Sequence, residues 1–320
     1  YTNATCLPAD FVVRKSQAEI RSEQLWRDLR AKNDWANFAP ALEGVVALAR
    51  EEAQMRAEVL GLKPYDALME QFDPGNRVAD VAPVLEKLKS FLVDFVPEAL
   101  DAQEQRYARR PAKSVEGPFP IEKQRELGLS MMQALGFDFT HGRLDVSHHP
   151  FCGGVPTDVR MTTRYKTEEF LTALMGVLHE LYEQGLPKDL SHMAVGQARG
   201  MAMHESQSLF VEQQLAHAPQ FWQWAMPIVS QHLGENALKG WEIEDVVAEV
   251  NKVERGYIRV DADEVTYPLH IIARFELEQA LIGGDLEVVD LPEAWDAKMT
   301  QYLGLSTIGN PKDGPMQDVH

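Results

Sequence analysis

His179 and Glu180, in the run His179-Glu180-Leu181-Tyr182-Glu183, are residue types that together can activate water at a metal. A His-Glu pair on an apolar-periodic helix opens the H-E-x-x-H pattern. There two histidines at i and i+4 share one helix face and bind zinc, and the glutamate serves as general base. The i+4 position here holds Glu183. A second His-Glu pair follows at His204-Glu205, inside Met203-His204-Glu205-Ser206-Gln207-Ser208. A catalytic zinc takes three protein ligands and keeps one position for water, so the first pair requires a further ligand from a following helix. His179 and Glu205 are therefore the metal-ligand candidates, and Glu180 is the candidate catalytic base. Glu183, one turn beyond His179, can complete a His/Glu/Glu set, which is richer in oxygen and weaker for zinc. Its alternative is a solvated or hydrogen-bonded glutamate at a helix end.

Two other chemistries find no support in the residues. A di-iron bundle needs paired Glu-x-x-His motifs, and none of the 10 histidines follows a glutamate by three positions. A serine hydrolase needs a G-x-S-x-G elbow, which is absent from the sequence.

Helices must position these groups. Residues 15–62, 78–110 and 121–135 carry apolar residues at three- and four-residue spacing. In the second of these, Val81, Val84, Leu85, Leu88, Phe91, Leu92 and Phe95 form the apolar side. Residues 111–120 read as a loop because of Pro111, Pro118 and Pro120. Further helices are expected over 167–184, 195–215, 218–232, 242–255, 263–282 and 291–303. Helix 167–184 buries Phe170, Leu171, Leu174, Val177, Leu178 and Leu181, and His179 and Glu180 flank that stripe. Only 137–165 alternates with period two, around Pro150-Phe151-Cys152-Gly153-Gly154-Val155-Pro156, and reads as a pair of short strands beside the His-Glu helix. Such a strand can hold extended substrate by its backbone or serve packing alone. The expected fold is mainly α, one large helical domain over 1–320 with a small β-ribbon.

The chain of 320 residues is long enough for a substantial core, and 45% hydrophobic with 25% charged residues is ordinary for a globular protein. A formal net charge of −18 with only short basic clusters, Arg109-Arg110 the densest, argues against nucleic-acid binding. No apolar run reaches the ~18 residues that a membrane span needs. The two cysteines, Cys6 and Cys152, read as free thiols in a cytoplasmic protein. The sequence opens on Tyr1 rather than Met, and both ends read as interior to a longer sequence.

Five ordered motifs then carry a resemblance. His149-Pro150-Phe151, Asp158-Val159-Arg160-Met161-Thr162, His204-Glu205-Ser206-Gln207-Ser208, Ile258-Arg259-Val260-Asp261-Ala262-Asp263 and Gly314-Pro315-Met316-Gln317-Asp318-Val319-His320 resemble H-P-F, D-x-R-x-T, H-E-S-Q-S, I-R-x-x-A-D and G-x-x-Q-D-x-H. The chain resembles the carboxypeptidase Taq family of metallocarboxypeptidases through most of residues 115–320. The family pattern at the metal helix is H-E-x-G-H-A-x-Y-E-Q-G, whereas His179-Glu180 here runs directly into Leu181-Tyr182-Glu183-Gln184-Gly185. Four residues, the second metal histidine among them, have no counterpart. Four residues of helix turn about 400° and rise about 6 Å, so the helical phase shifts by only about 40°.

The resemblance implies a metallocarboxypeptidase that hydrolyses C-terminal residues from peptides. It implies zinc, or cobalt, broad side-chain tolerance, a deep groove between helices and a homodimer. An inactive helical homologue that keeps the fold without the metal is the alternative. An exopeptidase acting at the C-terminus needs a fixed cation for the substrate carboxylate, and Arg259, Arg160 and Arg164 are the candidates. The family motif favours Arg259. Tyr267 and His270 can donate to an oxyanion, and Asp263 can orient a ligand from behind or cap the following helix. His320, at the chain end, carries no assigned role.

Overall fold

The computed structural model describes residues 2–147, 152–155, 157–177 and 182–317. In chain order the elements are α1 (Thr2–Thr5), α2 (Ala9–Ala31), α3 (Trp35–Leu60), α4 (Pro64–Met69), α5 (Val78–Arg109), α6 (Ile121–Ala134), β1 (Gly142–Val146), β2 (Cys152–Val155) and β3 (Asp158–Thr163). Then come α7 (Leu171–Val177), α8 (Tyr182–Gly185), α9 (Met201–Leu209), α10 (Pro219–Leu233), α11 (Ile243–Val250), α12 (Tyr267–Gly283) and α13 (Leu291–Leu303). The fold is mainly α with a small sheet, as expected.

Local chemistry sets the helix ends. The helical stretch expected over 15–62 divides where Asn33 adopts φ 56° and Asp34 caps α3, accepting the Asn37 N–H at 3.2 Å. α3 then ends on Gly61 in the left-handed conformation, φ 67°. α11 opens on a reciprocal cap between Glu242 and Asp245. Asp245 also accepts from Arg110 Nε and Lys113 Nζ, each at 2.6 Å, and so pins the proline-rich loop 111–120 at one end. Those two cations hold the Asp245 carboxyl well below the usual range.

The chain forms two compact units, Tyr1–Gln105 with Val253–His320, and Arg106–Lys252. Each has its own core. The first gathers Trp26, Phe38, Leu42, Leu92, Leu269, Ile272, Trp295, Met299 and Met316. The second gathers Leu127, Met131, Leu144, Met161, Phe170, Leu174, Val177, Phe221, Trp222 and Val229. Within the first unit α5 departs from the sequence reading. Leu92 and Val96 are buried, and Leu85, Leu88 and Phe95 pack against the core, but Val84 and Phe91 are exposed. An apolar stripe wider than one packing face leaves its flank outside.

The expected pair of strands is a three-stranded mixed sheet in the order β1-β3-β2. β1 runs parallel to β3, from Gly142 opposite Val159 to Val146 opposite Thr163. β2 is antiparallel to β3, with Cys152 opposite Met161. Val159 and Met161 point into the core of the second unit, which sends Arg160 to the other face. Gly154, at φ +107°, lies at the β2–β3 connection, and a Cβ there would stand 2.2 Å from the Asp158 carbonyl oxygen. Only glycine serves at that position. Cys6 and Cys152 are not joined in a disulfide. Among the described residues no helix is long and apolar enough to cross a membrane.

Candidate active site

His179 and Glu180 lie outside the described residues, as do the H-P-F motif at 149–151 and His320. What the second unit describes are the segments on either side of the His-Glu pair. Before it, α7 buries Ala173, Leu174 and Val177, and Glu169 accepts the Thr172 N–H at 3.1 Å to cap its first turn. After it, α8 is tied on two sides. The Gln184 amide accepts the Asp138 N–H at 2.7 Å and donates to the Asp138 carbonyl at 3.0 Å, anchoring α8 to the turn before β1. Glu183 Oε1 lies 3.1 Å from His204 Nε2, and the Tyr182 ring stands 4.9 Å from the His204 ring, anchoring α8 to α9.

Glu183 is thus a hydrogen-bonded carboxylate paired with His204. Nothing in the spacing of Gln184 reveals its bond back to residue 138. Gln184→Ala removes both bonds to the Asp138 backbone. It should lower unfolding stability by about 1 to 2 kcal/mol, the cost of leaving partly buried polar groups unpaired. Chemical denaturation measures it, and a loss below about 0.3 kcal/mol would show that water takes over both bonds.

Glu205 sits on α9, half-buried, one residue beyond His204. The hydroxyl of buried Ser208 lies 2.9 Å from Glu205 Oε2 and 3.0 Å from its carbonyl oxygen, so the carboxylate is oriented from its own helix. A half-buried carboxylate with one oxygen bonded to a hydroxyl is a setting compatible with metal ligation. A carboxylate and a neutral imidazole, the donor types of Glu205 and His179, are both groups that ligate divalent metals. Among the described residues no group of three His, Cys, Asp or Glu side chains is placed to hold a metal. Beyond Leu209 the helix widens into π-type turns over Phe210–Leu215, a feature that often marks functional helices.

Arg160, also in the second unit, forks both nitrogens onto Asp158, Nε to Oδ1 at 2.6 Å and Nη2 to Oδ2 at 2.7 Å. The guanidinium draws the Asp158 carboxyl below its ordinary range. The pair lines an open cleft of about 840 Å³ with Arg125, Arg143, Phe139 and His232. Arg164, just past β3, is exposed.

The other candidates belong to the first unit. Arg259 opens a single 3₁₀ turn, Arg259–Asp261, and its Nη1 donates to the Tyr267 hydroxyl at 3.4 Å. Tyr267 and His270 stand on the first turn of α12, which brings the three side chains to one end of that helix. Asp263 acts as a cap. Its Oδ1 accepts the N–H groups of Val265 and Thr266, and its Oδ2 accepts the Glu254 N–H and the Thr266 hydroxyl. His270 is 1% exposed, and neither ring nitrogen makes a well-aligned hydrogen bond to a described protein group. Burial, with Arg274 and Arg259 nearby, pushes its pKa down to about 4, outweighing the Gly256 carbonyl and Asp263. The ring is neutral at pH 7, with one N–H to donate and one lone pair to accept.

The family model described as Carboxypeptidase Taq (M32) metallopeptidase matches residues 1–320. Thermostable carboxypeptidase 1 of Thermus thermophilus is 38% identical over 336 residues, spanning 100% of this chain and 64% of that protein. That alignment is longer than the 320 residues here, so this chain lacks residues that the relative has. Carboxypeptidase 1 of Bacillus subtilis is 36% identical over 94% of this chain and 59% of its own length. The solved Trypanosoma cruzi metallocarboxypeptidase 1 superposes with a TM-score of 0.92 at 39% identity, over 98% of this chain and 63% of that one. This chain therefore spans less than two thirds of these relatives. With a family model matched from end to end, it belongs to the Carboxypeptidase Taq (M32) family of metallopeptidases.

Proposed function

We propose that this protein is a metallocarboxypeptidase that removes C-terminal residues from peptides bearing a free carboxylate. The observation that carries the reading is the single family model running through both units. It also supports treating the two units as one metallopeptidase domain. The family description calls for a metal; we assign a divalent ion, zinc first and cobalt second, to His179 and Glu205. When bound, such an ion supplies Lewis acidity that lets water act as a nucleophile near neutral pH. Glu180 takes a proton from the attacking water and delivers it to the leaving amine. Tyr267 and neutral His270 donate to the oxygen on which charge develops. Arg259 reads the substrate carboxylate through its planar fork. A cytoplasmic homodimer is part of the same proposal.

One peptide, with a free and an amidated C-terminus, tests the reading. Wild type should strongly prefer the free acid. Arg259→Ala should lose most of that preference, with kcat/KM on the free acid falling roughly 10- to 150-fold, the worth of a charge-assisted bond of about 1.5–3 kcal/mol. Arg259→Lys should recover only part. Equal cleavage of the amide by wild type would replace the exopeptidase reading with an endopeptidase one. A preference surviving in Arg259→Ala would move the clamp to Arg160 or Arg164.

A further inference from the structure

Gln317, the glutamine of the Gly314–His320 motif, has a side chain whose every hydrogen-bonding capacity is used inside the first unit. Gln317 is 5% exposed. Its Oε1 accepts two bonds, from the Arg259 backbone N–H at 3.0 Å and from Arg274 Nη2 at 3.1 Å. Its Nε2 donates two, to the carbonyl oxygens of Tyr257 at 2.8 Å and Asp313 at 2.9 Å. A primary amide has two acceptor lone pairs and two N–H donors, so this one is saturated. Its orientation is forced as well. Turned over, it would set its oxygen against two carbonyls and its NH2 against two donors.

Three of the four partners bear on the recognition cluster. Tyr257 and Arg259 flank Ile258, so the amide clamps the backbone on both sides of the residue that leads into the 3₁₀ turn. Arg274 donates its other nitrogen, Nη1, to the His270 carbonyl at 3.3 Å, and its guanidinium lies 5.2 Å from the Trp295 ring centroid. The same oxygen thus sets the backbone from which Arg259 departs and the cation that helps keep His270 neutral. Only a short acceptor with donors behind it fits between these groups, and the partly buried carbonyls of Tyr257 and Asp313 select an amide over a carboxylate.

We infer that Gln317 is a positioning residue, fixing the Arg259 turn in the orientation from which that guanidinium meets a substrate carboxylate. This rests on the reading of Arg259 as the carboxylate reader. A long, flexible arginine discriminates by its charge alone, whereas a fixed stem holds its fork in register with both carboxylate oxygens.

The test uses the full-length protein and a blocked tripeptide as free acid and as C-terminal amide, with both dissociation constants measured at neutral pH. Gln317→Ala should lower the acid-over-amide affinity ratio about five- to tenfold and leave amide affinity within twofold. The double variant with Arg259→Ala should have the ratio of Arg259→Ala alone, because Gln317 acts through Arg259. Amide hydrogen exchange at Arg259 should quicken about tenfold in Gln317→Ala, while Leu269–Leu277 of α12 keep their protection. If Gln317→Ala does not fold, Gln317→Met, close in volume and without the amide, takes its place with the same expectations. An unchanged ratio, losses that multiply in the double variant, or unchanged exchange at Arg259 each overturns the inference. A wild type indifferent to amidation instead overturns the reading of Arg259 itself, and the inference falls with it.

Discussion

Glu180→Gln should abolish turnover and leave bound metal at the wild-type level. Gln keeps the shape and polarity of the side chain but takes no proton from water, and general acid–base catalysis of this kind contributes about 10²–10⁴-fold. Glu205→Ala should behave in the opposite order. It removes a metal ligand, so metal content falls first and activity falls because of it, by more than the roughly 10–100-fold that follows the loss of a group behind a ligand. Metal per chain by elemental analysis, read beside kcat for both variants, separates the roles. A Glu180→Gln enzyme retaining more than about a tenth of wild-type kcat would remove Glu180 from the mechanism. Unaltered metal in Glu205→Ala would move the ligand elsewhere. Because Glu183 pairs with His204, tight stoichiometric metal in this chain would direct the search for the third ligand beyond Glu183.

The second large effect is on stability against acid. His270 has its folded pKa lowered from 6.5 to about 4, so above pH 6.5 it is neutral folded or unfolded and contributes nothing to pH dependence. Between pH 6.5 and about 4 the unfolded chain takes up a proton that the folded chain refuses, so stability falls as pH falls. The full window is worth about 3 kcal/mol, at roughly 1.4 kcal/mol per pH unit. Glu249 works against this, since burial raises its carboxyl and favours the fold as pH falls. The difference between wild type and His270→Asn, measured by denaturation at pH 7 and pH 4.5, isolates the histidine. His270→Asn should lose less stability over that interval than wild type. Parallel losses would mean that water or a rearranged carbonyl reaches the ring and restores its ordinary titration.

Much of this architecture is legible in the residues because helix periodicity is a local signal. The spans expected over 78–110, 121–135, 218–232 and 291–303 match Val78–Arg109, Ile121–Ala134, Pro219–Leu233 and Leu291–Leu303 within a residue or two. The parallel direction of the β1–β3 pairing, and the strand β2 within the Gly/Pro loop, are not legible in the sequence. Alternation marks a strand but not its neighbour, and a parallel pairing joins segments with no turn between them. The π-type turns at Phe210–Leu215 were also hidden, since one inserted residue in a helix leaves the apolar spacing nearly intact. For the site, residue types named the candidates but not their employment. Glu183 presented itself as a ligand by spacing, and its bond to His204 is a tertiary fact. Asp263 carried two readings, and its described contacts are those of a cap. Gln317 belongs to the G-x-x-Q-D-x-H motif, yet its use depends on Arg259, Arg274 and Tyr257 arriving at one amide.

The way the two cores divide the chain has a consequence for synthesis. The second unit is one continuous stretch, Arg106–Lys252, whereas the first is drawn from both flanks of it. The bond from Trp26 Nε1 to the Met316 carbonyl, 2.6 Å long and spanning 290 positions, belongs to that divided core. Translation delivers residues at about 5–20 per second, so the helices that precede Arg106 spend many seconds outside the ribosome before α12 and α13 exist. Through that interval Trp26, Phe38 and Leu92 have no native partner from the later half, while the continuous unit already holds every segment of its own core. The order of maturation is therefore inverted with respect to the order of synthesis. Within residues 1–320 the continuous unit is the first whose segments have all been made, and the helices preceding Arg106 wait longer for their later partners, exposed to aggregation and to chaperones.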